Sequence, residues 1–492
     1  MRTITIYTIL TSLLLITKTY AQEIRLSLAD AITMANDSSL SAVKAKRSYQ
    51  AGYWEFRAYK AARLPSLMLN LTPAQYNRNI VQRYDSENDR DVFRTQQSYY
   101  ASGGISIVQN IDWTGGTLYL NSSLDFLRNF GNETYSQFSS IPFRIGYSQN
   151  LIGYNPFKWD KQIEPLKYEK KKKELTYNME QISEEAIIYF FSLAQAQAEY
   201  DLAVKNLASC DTLYKIGCAR HKIAAISKAD LQTLNLDVIN ANNTLKNSEI
   251  SLRRAMFQLA SFLNIEKEQK LRIELPMRPK LFTISISRAL AHARENNPEF
   301  LALKQNILES RQAVDKTKKE SGINASLNAS IGFNQVGSEF NQVWKNLMQQ
   351  DMVSVSISIP ILDWGVRKGR YNMARNNLTV VEISSRQTEQ QIEEEVVMTV
   401  NDFNVQGSMI ESAEEARILA ESAYEDTRMR FIIGKSDINS LSMAHTRKDA
   451  AEKNYISALR NYWLSYYKIR RLTMYDFYNE CTIDSGKEII KQ

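Results

Sequence analysis

The chain carries the same order of sequence motifs in each of its two halves. A helix start preceded by alternating apolar residues occurs at residues 26–35 and again at 284–293. Later in each half come an Asp-Trp pair, at 112–113 and 363–364, and an aromatic residue three positions before a glycine, at 214–217 and 431–434. Copies of about 240 residues are too long for solenoid repeats. The sequence predicts a duplicated half-molecule with pseudo-symmetry: a first repeat at residues 22–275, a second at 276–475 and a C-terminal tail at 476–492.

The N-terminus has the pattern of a secretory signal peptide. Arg2 precedes an apolar run at residues 4–16, and Thr19-Tyr20-Ala21 places small residues at both ends of a cleavage site. The run is shorter than the roughly 20 residues of a membrane-spanning helix. We predict a signal peptide at residues 1–21, and no lipid attachment because residue 22 is Gln. Since charges interrupt every later apolar run, the exported chain is either soluble or crosses a membrane as strands.

Period-two alternation indicates strands in both halves. In the second half, apolar residues alternate with Ser, Asn and Gly at 325–334 and again at 353–359, and Pro360 ends this second run. This pattern is typical of transmembrane barrel strands, and equally of a half-buried sheet in a soluble domain. In the barrel interpretation the membrane-facing residues are Ile331, Phe333, Val355 and Ile357. The first half alternates at 67–71 and 105–107 and adds a hairpin between Trp113 and Asn150 that the second half lacks. The sequence leaves open whether this extra hairpin joins a barrel.

Long helices precede and follow the strands. The first helix of each half is predicted at about 28–63 and 287–321. From Gly365 to Phe431, apolar residues recur close to every 3.5 positions, which is a coiled-coil spacing and predicts a rod of about 100 Å. A second helix follows at about 439–475. The first half repeats this helical pair more briefly, at about 165–216 and 227–264.

Composition and spacing argue against several other classes of protein. The formal charge is +7, and Lys and Arg interleave with Asp and Glu along the helices, so no nucleic-acid footprint is expected; the Lys170–Lys173 block fits a solvated helix face. The three cysteines are too scattered for a disulfide framework. His221, His292 and His445 have no second ligand at helical spacing. With no nucleophile–base–acid arrangement either, we expect no cofactor, no metal and no enzymatic activity.

The duplicated motifs together resemble the TolC family of outer-membrane efflux proteins, also called outer membrane factors. Residues 28–32 and 286–290 match the family's first helix in each half. The turns at 214–217 and 431–434, each followed by a Leu/Gln-rich helix, match its helical hairpins, and residues 151–157 resemble a family variant with the extra hairpin. The resemblance covers about residues 26–475.

The resemblance implies an α+β membrane protein that assembles as a homotrimer in the outer membrane of a Gram-negative bacterium. Each chain would contribute a few transmembrane strands to a shared twelve-stranded β-barrel, which contacts outer-membrane lipid. The coiled-coil helices would form a periplasmic α-barrel with an equatorial layer near the termini. The implied function is passive conduction in efflux or type I secretion, as part of a tripartite system with a periplasmic adaptor (membrane fusion protein) and an inner-membrane pump.

The family's constriction lies at the periplasmic helix tips, where acidic and aromatic residues attract cations. By resemblance, the candidate gate residues are Asp230, Phe431, Asp437 and Ser440, and the tip turns are at Gly217 and Gly434. In this chain, Ser440 occupies the second-half position that matches one acidic residue of the family, and Met443 occupies another of the family's acidic positions. Asp437 could replace these acids only because it lies nearby in the sequence. The acidic ring is therefore expected to be weaker than in the family.

Two other functions compete with a conduit. A periplasmic adaptor also has a helical hairpin, but adaptors carry lipoyl-like and small barrel domains rather than two tandem copies. A structural coiled-coil protein of the envelope, without channel activity, would leave the alternating strands unexplained. A plain porin is excluded by the long helices.

Overall fold

The computed structural model describes residues 24–130, 134–223, 226–266 and 271–484. The predicted signal peptide at residues 1–21 lies outside them. The chain divides into two compact units. One comprises Met1–Tyr49, Lys171–Phe300 and Gln390–Gln492, and the other comprises Gln50–Lys170 and Leu301–Glu389. Segments of both sequence repeats contribute to each unit.

The long helices come in pairs of matched length. In the first repeat α1 is Leu28–Ser38, α2 is Leu40–Ala61, α3 is Pro156–Lys222 and α4 is Lys228–Leu263. In the second repeat α5 is Ile286–Asn296, α6 is Pro298–Glu320, α7 is Val366–Ile432 and α8 is Ile438–Thr473. The paired lengths are 11 and 11, 22 and 23, 67 and 67, and 36 and 36 residues.

The predicted first helix of each half is two helices. Ser39 is extended between α1 and α2, and Asn297 is extended between α5 and α6. In the second repeat Pro298 explains the break, because a proline pushes the preceding residue out of helical geometry and then starts the next helix well. In the first repeat the Ser39 hydroxyl accepts the Ala42 N–H at 3.1 Å and so starts α2 as a cap.

The prediction of a shorter helical pair in the first repeat was wrong. Helix α3 begins at Pro156, nine residues before the predicted start, and runs through Pro165. Pro156 suits the first helical position because its missing N–H would have no partner there. An interior proline removes one backbone hydrogen bond, and packing of neighbours such as Ile163, which is buried, holds the remaining turns. The helix also continues past Gly217 to Lys222.

Six strands form one antiparallel sheet in the second unit. They are β2 (Ser66–Asp85), β3 (Arg90–Ile111), β4 (Gly116–Phe130), β5 (Tyr135–Ile152), β7 (Asn324–Gly337) and β8 (Met348–Ser358). Their order in the sheet is β2-β3-β4-β5-β7-β8, so β2 and β8 are its edges. The extra hairpin predicted from the sequence is β4–β5, and it lies inside this sheet.

Short strands and a buried ionic cluster organise the first unit. Strand β1 (Ile24–Leu26) pairs in parallel with β6 (Leu271–Ile273), and β9 (Tyr475–Asp476) pairs with β10 (Cys481–Thr482). Arg470, near the end of α8, donates to both Glu180 carboxylate oxygens at 2.9 and 3.0 Å and to Asp476 at 3.0 Å. Burial raises the pKa of the Glu180 carboxyl, and the attraction of the Arg470 guanidinium partly opposes this rise. A paired, hydrogen-bonded arrangement is what a buried charge requires.

Candidate functional site

The pairing register of the sheet sorts its side chains onto two faces. Residues directly opposite each other on neighbouring strands point to the same side. Starting from Leu67, one row of paired residues crosses all six strands: Leu67, Ile107, Leu120, Ile145, Ile331 and Asp351. Five of the six are large aliphatic residues. We call the side that carries this row the apolar face.

The opposite side, the polar face, is lined by small and hydrogen-bonding residues. One of its rows joins Ser106, Asn121, Arg144 and Gly332. Tyr100 donates to Asp125 at 3.0 Å on this face, and Arg144 contacts Gln350. The two faces of the sheet therefore differ in polarity.

All four strand residues singled out from the sequence lie on the apolar face. Ile331, Val355 and Ile357 are 54%, 57% and 64% exposed, although they are large and aliphatic. Phe333 is half-buried because its ring packs edge-on against Phe143, with ring centroids 5.3 Å apart. Their polar-face neighbours include Ser330 and Ser356. The alternation read from the sequence therefore corresponds to two distinct surfaces.

The tryptophans of the two Asp-Trp pairs lie in the segments that follow strands β3 and β8. Trp113 follows β3 and is 85% exposed, and Trp364 follows β8 and is 89% exposed. Tryptophan is enriched at the water–lipid interfaces of membrane proteins, and two exposed indoles in segments that follow strands fit that pattern.

In the first repeat, Asp230 is part of a helix cap. It is the third residue of α4, and its carboxylate accepts the Ser227 N–H at 3.1 Å and the Ser227 hydroxyl at 2.7 Å. In return, the Ser227 hydroxyl oxygen accepts the Asp230 N–H at 3.0 Å. This reciprocal capping box satisfies backbone groups that have no partner within the helix. Asp230 was predicted from the sequence as a site residue and Ser227 was not, although the Ser-x-x-Asp spacing of a capping box is visible there.

In the second repeat, the same two residue types exchange places. Asp437 is the N-cap of α8 and accepts the Ser440 N–H at 2.7 Å and the Ser440 hydroxyl at 3.1 Å. These hydrogen bonds from Ser440, the backbone bond first, lower the pKa of Asp437. Asp437 therefore corresponds to Ser227, and Ser440 corresponds to Asp230. Each tip keeps one carboxylate bonded to one hydroxyl, and the Asp437 side chain is exposed.

Phe431 packs inside the helical tip. It forms a buried cluster with Tyr424 and Leu441, and it is 5% exposed. The Arg220 guanidinium lies 5.6 Å from the centre of the Phe431 ring and donates to the Ile432 carbonyl at 2.8 Å. Arg220 thereby joins the end of α3 to the end of α7. Arg220 was not predicted from the sequence, because its partner lies 212 positions away and no local pattern identifies it.

The two glycines predicted as tip turns have different roles. Gly434 has φ +79°, and the Lys435 N–H bonds to the Arg430 carbonyl at 2.8 Å, which closes α7 with a left-handed glycine. Gly217 lies within α3, so its prediction as a turn was wrong. A Cβ at Gly217 would stand 2.5 Å from Leu234 Cδ1. The glycine is explained by the close approach of α4, a requirement that looks the same as a turn in the sequence.

Comparison with known proteins bears on these two surfaces. Residues 289–473 match the family model of outer membrane efflux proteins. The chain carries an outer membrane efflux domain. This confirms the resemblance to the TolC family that the duplicated motifs indicated. The family is one of efflux channels rather than enzymes. No curated protein matches the sequence closely enough to count as a relative.

Solved structures share the fold of this chain at low sequence identity. The CmeC outer membrane channel of Campylobacter jejuni superposes with a TM-score of 0.67 at 12% identity, covering 94% of this chain and 88% of that one. A membrane protein from Pseudomonas aeruginosa gives 0.66 at 15% identity, with coverage of 94% and 92%. The open state of the MtrE outer membrane channel of Neisseria gonorrhoeae gives 0.60 at 14% identity, with coverage of 91% and 88%.

Two features are absent from the part of the chain that the structure describes. Among residues 24–130, 134–223, 226–266 and 271–484, no helix combines the length and apolar character needed to cross a membrane. Within the same ranges, no cluster of His, Cys, Asp and Glu has the composition of a metal site.

Proposed function

We propose that the chain forms a homotrimeric channel in the outer membrane of a Gram-negative bacterium, through which substrates leave the cell passively. The observation that carries the proposal is the exposed apolar face of the six-stranded sheet, in a chain with an outer membrane efflux domain. The smallest stable membrane barrels have about eight strands, and open sheet edges do not occur in lipid. Six strands with free edges at β2 and β8 therefore call for further copies of the chain.

The helices would extend the channel into the periplasm. Helices α3 and α7 have 67 residues each, and each is followed by a shorter antiparallel partner. Long paired helices of this kind can form a coiled-coil tube. We infer that a periplasmic adaptor and an inner-membrane pump dock at this end. The pump would select the substrate and supply the energy, and this protein would supply the exit duct.

For the gate we propose the two tip carboxylates, Asp230 and Asp437. Three copies of each would surround a narrow aperture, where clustered negative charge favours cations. Ser440 would orient the Asp437 carboxylate through the hydrogen bonds described above, and Phe431 would support the tip from its buried cluster. The acidic ring is then built from non-equivalent positions of the two repeats.

Two experiments test this function. Chemical crosslinking of outer-membrane fractions should give a discrete trimer band; a monomer in the soluble periplasm would overturn the proposal. In planar bilayers, Asp230→Asn and Asp437→Asn should each lower cation preference, whereas Asp211→Asn, an exposed carboxylate paired with Lys215 on α3, should not. Asn remains a good cap at position 437. Unchanged selectivity in both tip variants would remove these residues from the gate.

A further inference from the structure

We propose that the hairpin β4–β5 is part of the transmembrane wall, so that three chains close a barrel of eighteen strands in which β2 of one chain pairs with β8 of the next. This inference rests on the proposed trimeric channel. It specifies the surface between chains and the width of the pore, both of which differ from the twelve-stranded arrangement implied by the family resemblance.

The position of the hairpin within the sheet is the first argument. Strand β4 pairs with β3 along residues Gln97–Ile111 of β3. Strand β7 pairs with β5 along residues Phe138–Ile152 of β5. The hairpin therefore separates β3 from β7. If it lay outside the barrel or folded into the lumen as a plug, β3 and β7 would have to pair directly.

The faces of the hairpin are the second argument. Leu118 and Ile145 lie on the apolar face and are 42% and 43% exposed. Asn121 and Ser148 lie on the polar face, opposite Arg144 and Thr117. Because Ile145 is paired with Ile331, the apolar surface continues from the hairpin onto a strand of the second repeat without interruption.

The slope of the apolar band is the third argument. The apolar band is the set of apolar side chains on the apolar face, followed from strand to strand. On β2 the band begins at Leu67, and the row of paired residues that starts at Leu67 reaches β8 at Asp351. On β8 the band begins at Ile357, six residues further along. Six residues over five strand-to-strand steps is 1.2 residues per step. With a rise of about 3.4 Å per residue and strands about 4.8 Å apart, the band crosses the strands at about 40°. Membrane barrel strands are tilted by about 35–45°.

The hairpin takes part in this slope, because the row that links Leu67 to Asp351 runs through Leu120 of β4 and Ile145 of β5. With the hairpin included, a flat lipid layer meets apolar side chains on all six strands.

The free edges fit a second copy of the chain. Six antiparallel strands leave β2 and β8 running in opposite directions, so β2 of one copy can extend the sheet antiparallel to β8 of its neighbour. Three copies of six strands give eighteen. Because barrel diameter grows roughly linearly with strand number, the barrel would be about 1.5 times as wide as one of twelve strands, and would enter the class that encloses an open aqueous channel. The exit would then admit bulkier solutes than a twelve-stranded exit.

The test uses single cysteines in the full-length protein with Cys210, Cys218 and Cys481 replaced by Ser. Leu118→Cys and Asn121→Cys report on the hairpin, and Ile331→Cys and Ser330→Cys report on β7. Each variant is labelled with bimane in phosphatidylcholine vesicles, with or without bromine on the acyl chains. We expect brominated lipid to quench the label at 118 as strongly as at 331, and to leave the labels at 121 and 330 bright.

The outcomes separate this inference from the proposed function. Quenching at 331 but not at 118 would overturn the eighteen-stranded wall and leave the channel standing. Absence of quenching at 331 would overturn the proposed membrane channel itself.

A deletion variant measures the width directly. Removing residues 114–152 joins Asp112-Trp113 to Gly153 and reproduces the Asp363-Trp364-Gly365 sequence of the second repeat. In end-on electron micrographs, the barrel of the variant should be narrower than the wild-type barrel by about one third. An equal width would overturn the inference. If the deleted chain fails to fold, the quenching experiment still decides.

Discussion

The two repeats agree in their helices and differ in their strands. Corresponding helices differ by at most one residue in length, whereas the first repeat has four long strands and the second has two. A changed helix length would misalign its end with its partners. An added antiparallel hairpin leaves the direction of every other strand and both sheet edges unchanged. The comparison shows where this fold has accepted an insertion: in the number of strands of the sheet, and not in the length of the helices.

The ends of the two helical hairpins differ in chemistry although their geometry matches. Counted from the helix start, Arg470 of α8 corresponds to Ala260 of α4. Ala260 is buried among Leu259 and Leu263, whereas Arg470 is held by Glu180 and Asp476. At this position the first repeat has apolar packing, whereas the second repeat has a buried ionic cluster.

Arg470→Ala should destabilise the protein by about 3–5 kcal/mol, because it leaves the Glu180 carboxylate buried without its partner. Lys468→Ala, which removes a more exposed pair with Glu395 at 3.1 Å, should cost no more than about 1 kcal/mol. Urea unfolding followed by circular dichroism measures both. Adding Glu180→Gln to Arg470→Ala should recover part of the loss. If the double variant were no more stable than Arg470→Ala, the buried charge would not be the cause.

Ile145→Arg and Ile331→Arg should destabilise the protein equally, by about 2–4 kcal/mol each, if both side chains meet lipid near mid-membrane. Ile145 belongs to the extra hairpin, and Ile331 belongs to the strands that both repeats share. Ser330→Arg, on the polar face, should be milder. The measurement is the urea dependence of folding into phosphatidylcholine vesicles. A mild effect at Ile145 with a severe one at Ile331 would place the hairpin away from lipid.

The two tip glycines should respond differently to alanine. Gly434→Ala should cost about 1–2 kcal/mol, because a side chain is strained in the left-handed conformation. Gly217→Ala should change stability by less than about 1 kcal/mol, since the gain in helix propensity opposes a contact with the flexible end of Leu234. Thermal unfolding of the two variants side by side measures this difference. Equal losses would mean that the Leu234 side chain cannot move away from the added methyl group at position 217.

The Ser-x-x-Asp cap of α4 and the Asp-x-x-Ser cap of α8 should be able to replace one another. Ser227→Ala should cost about 1 kcal/mol, and Asp437→Ala should also destabilise the start of its helix. The double variant Asp437→Ser with Ser440→Asp recreates the first-repeat arrangement and should restore the cap. Hydrogen exchange of the first turns of α4 and α8 measures the effect. A double variant as poorly protected as Asp437→Ala would show that the two arrangements are not equivalent.

The Asp437 cap should also depend on pH. The pKa of Asp437 is lowered in the folded protein, so its stabilising contribution is complete above the unfolded pKa of about 3.9. That contribution is lost as the pH falls through the lower, folded pKa. Asp437→Asn should remove this acid-dependent loss of protection at the start of α8. Retention of the same pH dependence would assign it to another group.

The sequence by itself determined the elements and their order. The duplicated motifs, the two periodicities and the turn residues were enough to predict long helices around alternating strands, the extra hairpin and the efflux family, because helix and strand patterns are local properties of the chain. The cap at Asp230 was readable in the same way from the Ser-x-x-Asp spacing. Local patterns also set the limit of these predictions: Pro165 and Gly217 look like helix ends in the sequence, whereas packing carries α3 through both.

Only the tertiary structure decided which side chains meet across the fold. Arg220 meets Ile432, and Arg470 meets Glu180, each more than two hundred positions away along the chain. The place of the extra hairpin depended on the register of strand pairing, in which a shift of one residue would exchange the apolar and polar faces. Such a register is fixed by backbone hydrogen bonds between strands that are distant in sequence. Periodicity within one strand can show that it has two faces, but it cannot show which strand lies beside it.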